Sequence, residues 1–173
     1  SAWLNNNGNM TFTSPQSTFT PFGLTGGVTQ PIIAPFFADV DTRGAGSDLM
    51  RYGVGMVGGR LAFGQTWDGA GVGYFGFHVD KLNQFQVILV ERSDTGAGNF
   101  DIEFNYDQIQ WETGDASGGS GGLGGSSARA GYSAGTGAPG SFFELAGSGV
   151  NGAFLDSNLV TGLKYNSLGA SID

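Results

Sequence analysis

The sequence predicts an all-β fold: an antiparallel β-sandwich with long glycine-rich loops and at most one or two short helices. Three observations predict it. Glycine supplies 33 of 173 residues, and glycine loses more backbone freedom on entering a helix than any other residue. Fourteen phenylalanines, with valine, isoleucine, threonine and tyrosine, suit a pleated surface. The stretch Phe100 to Asp107 alternates strictly, with Phe100, Ile102, Phe104 and Tyr106 on one face and Asp101, Glu103, Asn105 and Asp107 on the other. A strand points successive side chains to opposite faces, so this one is half-buried with a wet acidic side. The length suits one domain over residues 1–173.

The elements follow in order. Asn5-Asn6-Asn7-Gly8-Asn9 is a turn cluster with an Asn-Gly hairpin signal, and Met10 to Thr13 a short strand. Asn9-Met10-Thr11 also spells a glycosylation acceptor, although a strand after a turn is the plainer reading. Ser14 to Pro31, broken by Pro15, Pro21 and several glycines, reads as a loop with Phe19 and Phe22 tucked inward. Ile32 to Asp41 is an apolar run ending in acids. Pro35 removes a ladder donor, so that strand lies at an edge or is broken there. Thr42 to Asp48 is a polar loop. Met50 to Val54 and Arg60 to Phe63 form two short strands about Gly58-Gly59, and Asp68-Gly69 signals a turn after Trp67. Val72 to Val79 alternates weakly.

From Gln84 to Glu91, Phe85, Val87 and Leu89 share one face while Ile88 and Val90 make the other partly apolar, so this strand is covered on both sides. Arg92 to Asn99 is its hairpin loop. After Tyr106 the apolar phase slips: Ile109 and Trp111 stand at odd spacing from it. Either one extra residue makes a β-bulge there or the strand ends. Residues 114–127 are glycine and serine in the main and read as a flexible surface loop within the domain. Ala128 to Ser133 resumes a strand, Ser141 to Ala146 is a short helix or strand, Phe154-Leu155 and Asn158 to Val160 close the pattern, and Ser171-Ile172-Asp173 trails off.

Composition narrows the function. Only 13% of residues are charged, about half the usual share, a surface common among extracellular β-proteins. The formal charge of −8 opposes nucleic-acid phosphates and anionic lipid surfaces. Without cysteine the chain has no thiolate chemistry, no cysteine zinc site and no disulfide. No apolar run approaches the ~20 residues that span a bilayer.

Several motifs match in letters but not in context. Gly53 to Gly58 and Gly71 to Gly76 both spell the dinucleotide fingerprint, yet neither leads into the helix that would hold a pyrophosphate. Gly118 to Gly122 spells a nucleophile elbow between low-complexity flanks. His78 is the only histidine and reads as a strand residue. Asp101 and Glu103 share a strand face, but nothing encloses them as a general acid needs. The absence of a catalytic constellation predicts a non-enzyme. Asp39, Asp41 and Asp48 form the candidate metal site, in a loop of the oxygen-rich kind that calcium favours. Arg43 and Met50 occupy ligand positions of an EF-hand, which excludes that motif and leaves a looser β-loop calcium site or a solvated acidic turn. No other cofactor is expected. Trp3, Trp67 and Trp111 with Tyr52, Tyr74 and Tyr132 fill a sandwich core or form a sugar-stacking platform.

Ile33-Ala34-Pro35-Phe36-Phe37-Ala38-Asp39-Val40-Asp41-Thr42-Arg43 resembles the nidogen-like (NIDO) domain. Matching segments follow in order: Gln65-Thr66-Trp67, Asn83 to Leu89, Phe100 to Tyr106 with Ile109 and Trp111, Ala130 to Ser133, and Gly140-Ser141. The similarity runs from about Asn6 to Leu163, nearly the whole chain. It implies an extracellular module, secreted or at the cell surface, for adhesion or for matrix or filament assembly, and it brings no catalytic residues. Expected partners are other extracellular or surface proteins and copies of the chain itself. The alternative is a carbohydrate-binding β-sandwich, calcium-assisted, with glycan partners. The lack of cysteine and the weakly charged Gly/Ser/Asn surface favour a microbial source.

Overall fold

The computed structural model describes residues 1–165; Ser171 to Asp173 lies outside the described residues. Ten strands run in order: β1 (Trp3–Asn5), β2 (Asn9–Thr11), β3 (Ile32–Phe37), β4 (Val40–Asp41), β5 (Arg51–Val57), β6 (Arg60–Tyr74), β7 (His78–Glu91), β8 (Phe100–Gln108), β9 (Arg129–Ser133) and β10 (Phe142–Glu144). One 3-10 turn, Asp115–Ser117, is the only helical element among the described residues. All pairings are antiparallel. A short sheet has the order β1-β2-β3-β9-β10, and a long sheet β4-β6-β7-β8 with β5 beside β6. The two form a sandwich.

Its core holds the alternating apolar residues of the inner faces. Phe36 of β3 meets Phe85 of β7 at 5.2 Å and Trp111 edge-on at 5.7 Å. Trp67 stacks on its cross-strand partner Phe85 at 4.6 Å. Trp67, Trp111, Tyr74 and Phe154 are buried. Polar tips of the core find backbone partners: Trp67 Nε1 donates to Asn6 O, Trp111 Nε1 to Val72 O, and Tyr106 Oη to Pro35 O. The wet face of β8 is as expected. There Asn105 donates to Glu103 and Gln86, and Gln86 donates to Thr66.

The irregularities have local causes. Gln84 pairs with Gln108 while Phe85 pairs with Tyr106, so Asp107 is an extra residue. The slipped apolar phase after Tyr106 is therefore a bulge, and it turns Ile109 and Trp111 into the core. Pro35 lies in a central strand, not at an edge. β3 breaks its register between Ala34 and Phe37, and Phe36 N donates instead to Gly8 O at 3.2 Å. The Asn5 to Asn9 turn comes so close that a Cβ at Gly8 (φ +73°) would collide with the Phe36 carbonyl. Asp68-Gly69 is not a hairpin turn. β6 bulges between Trp67 and Val72 and then resumes pairing with β7, so the long strand continues where the local signal reads as an end.

Ser141 to Ala146 resolves as strand β10. Phe22 packs edge-on against Phe37 as expected, but Phe19 is not tucked in; it is exposed and stacked on Phe75. Residues 114–127, expected as a flexible surface loop, fold back over the end of the core. Glu112 N and Thr113 N donate to Gly122 O, and Ser126 N donates to Ser117 O. Glu112 is buried and accepts from Gly152 N and Phe154 N, both at 2.6 Å, which ties the last described turns to the sandwich.

Candidate interaction surface

Asp39 and Asp41 flank Val40 at the β4 edge, and each has its own environment. Asp41 accepts from Arg43 Nε at 2.8 Å and Nη2 at 2.7 Å, from its backbone N at 3.0 Å, and from Phe77 N at 3.1 Å. The Arg43 hydrogen bonds outweigh burial and hold the Asp41 pKa at about 2. Asp39 is equally buried but has no cation beside it; it is helped only by hydrogen bonds, from Ser117 Oγ at 3.4 Å and from the backbone of Ser117 and Ala116. Burial dominates there and pushes its pKa up to about 6. Asp48 accepts from Ala70 N at 2.7 Å and lies 4.0 Å from Arg51. The structure does not gather Asp39, Asp41 and Asp48 into one ligand set. No group of three His, Cys, Asp or Glu side chains suited to a metal ion occurs among the described residues. The residue standing at the third ligand position, Arg43, supplies the counter-charge itself.

Arg43 in turn lies over Phe77 at 4.4 Å and Phe75 at 5.4 Å. Phe77 has φ 62°, the only positive φ outside glycine among the described residues. A bulky side chain in that region is strained, and its N–H bond to Asp41 helps to hold it there. His78 stacks on Tyr74 at 4.5 Å, and its Nε2 lies 2.8 Å from Asp115 Oδ2. No serine hydroxyl bonds to it among the described residues. Both fingerprint matches lie in strands and their turns. Of the six aromatics considered as a platform, Trp67, Trp111 and Tyr74 are core, and Tyr132 packs on Phe143.

The remaining two, Trp3 and Tyr52, border a different feature. The long sheet extends past the short one, so its inner face is covered only in part. Directly opposed residues share a face. The rows Tyr52–Gln65–Val87–Phe104 and Val54–Phe63–Leu89–Ile102, with the pairs Met56–Leu61 and Glu91–Phe100 beyond them, therefore continue the core face outward. Val87 is fully buried, whereas Tyr52 is 70% exposed, Val54 77%, Met56 65%, Leu61 58% and Phe100 45%. At the inner end of this overhang a groove of about 640 Å³ runs between the sheets, lined by Trp3, Leu4, Phe12, Tyr52, Phe63 and Leu89 among others. Beside it Gln65 is fully buried, and neither its amide nitrogen nor its oxygen has a partner among the described residues. An exposed apolar face of this kind is a candidate interaction surface. Sequence reading found both strands but missed the site. The available signal was Tyr52-Gly53-Val54-Gly55-Met56, which has an apolar face and, opposite it, no side chains at all.

The nidogen-like domain model matches residues 1–54 and 51–163, which covers both sheets, the acidic loop and the overhang. The chain belongs to the nidogen-like (NIDO) domain family. Over 169 aligned residues it is 37% identical to alpha-tectorin of Mus musculus and to that of Homo sapiens, covering 84% of this chain and 7% of each relative. Alpha-tectorin of Gallus gallus is 34% identical, covering 84% of this chain and 8% of the relative. The NIDO chain thus spans less than a tenth of the length of these curated relatives. No solved structure matches it. All three relatives are vertebrate proteins, so they give the expected microbial source no support. NIDO membership makes the domain an extracellular one, secreted or at the cell surface. No described helix is long and apolar enough to cross a membrane.

Proposed function

We propose that this NIDO domain is a non-catalytic interaction module of cell adhesion or extracellular matrix assembly, which binds other extracellular proteins through the uncovered face of its long sheet. One observation carries the reading: the core face of the long sheet runs on past the short sheet, leaving Tyr52, Val54, Met56, Leu61 and Phe100 in solvent. Burying such side chains contributes roughly 1.5–3 kcal/mol each, enough for a handful of them to anchor a partner. The likeness to alpha-tectorin supports the same class of role. Beads carrying the domain are expected to be retained on a cell-derived matrix. The double variant Leu61→Glu/Phe100→Ser, altered only at exposed positions, is expected to lose at least about tenfold in retention. Equal retention of variant and unaltered domain would overturn the reading.

A second reading, a calcium-assisted carbohydrate-binding sandwich, is favoured by the other exposed aromatic cluster. Phe77 is held out at φ 62° beside Phe75, Phe19 and Arg43. An array of glycans probed with and without calcium distinguishes it. Binding that is lost on Phe77→Ala supports it, and an array without binders removes it.

A further inference from the structure

β5 is an edge strand seven residues long, and all seven residues are exposed. Its free backbone groups have a definite phase. Val57 and Arg60 flank the two-residue turn Gly58-Gly59, where both glycines have positive φ. In such a hairpin the flanking pair exchanges hydrogen bonds, and pairs then alternate. Val57, Gly55, Gly53 and Arg51 therefore bond to β6. Tyr52, Val54 and Met56 turn their N–H and C=O groups away from it, into solvent.

We infer that β5 pairs antiparallel with β5 of a second copy of this chain, about a two-fold axis through Val54, so that two long sheets become one. The free groups are self-complementary in that register. Val54 faces Val54 and Tyr52 faces Met56, twice, so all three outward residues of each strand exchange both bonds. The apolar stripe Tyr52–Val54–Met56 continues into its own copy on one face. On the other face Gly53 and Gly55 carry no side chains to obstruct the approach.

Local charge selects this edge. A natural edge strand is usually guarded by charge, proline or a bulge. β8, the opposite edge of the long sheet, carries Asp101, Glu103 and Asp107, and two such edges would set acid against acid. β1 and β10, which end the short sheet, have three residues each. β5 has no acid, no proline and one charge, Arg51, at its end. In the two-fold pair each Arg51 faces Val57, and the two guanidinium-bearing residues lie about 20 Å apart along the strands, beyond the screening length of about 8 Å at physiological salt. Seven residues a side falls well short of the 20–30 of a stable interface. The pair is therefore weak in isolation, with half-association near about 0.1–1 mM, and gains strength where copies are tethered side by side. Because each copy carries a formal −8, added salt strengthens it.

This inference rests on the uncovered sheet as an interaction surface, and its test is separable from that reading. The chain lacks cysteine, so one introduced thiol reports alone. At Val54→Cys the two Cα atoms stand about 5.5 Å apart, within disulfide reach. Oxidative dimerisation is expected to be at least about tenfold faster than for Leu159→Cys, an exposed control. Tyr52→Cys alone is expected to stay monomeric and to cross-link when mixed with Met56→Cys. Sedimentation of the unaltered chain should show a concentration-dependent dimer that Val54→Pro abolishes with melting unchanged, since the lost N–H bonds nothing within the copy. Cross-linking of Val54→Cys no faster than the control, or a monomer at about 1 mM in all salts, overturns the self-pairing. If matrix retention through Leu61 and Phe100 survives that outcome, the module reading stands alone.

Discussion

Asp39 and Asp41 are one residue apart and both buried, yet Arg43 reaches only Asp41, so the two carboxyl groups depart from the ordinary value of 3.8 in opposite directions. A carboxyl raised in the folded state contributes stability below its unfolded pKa and loses it as pH rises through the folded one. For Asp39 that loss falls between about 4 and 6. For Asp41, lowered in the folded state, stability is present above about 4 and is lost as pH falls toward 2. Asp39→Asn is thus expected to change nothing near pH 4 and to stabilise the domain by about 2–3 kcal/mol at pH 7. Urea denaturation at the two pH values checks this, and equal shifts at both would contradict it. The acidic character of this loop was legible in the letters Asp39-Val40-Asp41-Thr42-Arg43. The division of labour within it was not, because it depends on Ser117 and Phe77, which only the fold brings near.

Among the elements, β8 shows how far periodicity reaches. Its alternation gave the buried and wet faces directly, while the slipped phase after Tyr106 left a bulge or a strand end open, and the pairing with β7 shows the bulge. A one-residue slip moves every following side chain to the other face. The bulge absorbs that slip, and deleting Asp107 leaves Gln108 opposite Gln84 with strict alternation, so Ile109 and Trp111 are expected to stay in the core. The near-ultraviolet tryptophan dichroism and a cooperative melt should therefore survive the deletion; their loss would refute Asp107 as the extra residue. Asp68-Gly69 shows where such reading stops. The same dipeptide serves a hairpin turn and a bulge, and the neighbour that keeps pairing, β7, decides which. Pro35 likewise announces a break, but only the partner strands place it at the centre of a sheet. β5 was legible as a strand, whereas its exposure was not. Alternation says that two faces differ; it does not say whether another layer covers either.

At the scale of the whole molecule, composition and alternation were enough for the sandwich class, and the ordered matches from Ile33 to Ser141 were enough for the family. Which strand belongs to which layer was not legible, because that is fixed by partners distant in sequence. β2 and β3 are followed by all of the long sheet before β9 arrives to close the other side of β3. Ile33 finds Tyr132 only after β4 to β8 have been made. Loop closure must precede the contacts that reward it, so the domain is expected to refold in milliseconds to seconds rather than microseconds. Stopped-flow fluorescence of the three tryptophans measures this directly. During synthesis the first three strands emerge with their central edge unsatisfied and must wait while the rest of the chain follows. A cell that secretes this domain therefore carries, for every copy in transit, an interval in which Ile32, Ile33 and Phe36 are open to holding chaperones or to premature pairing with the wrong strand.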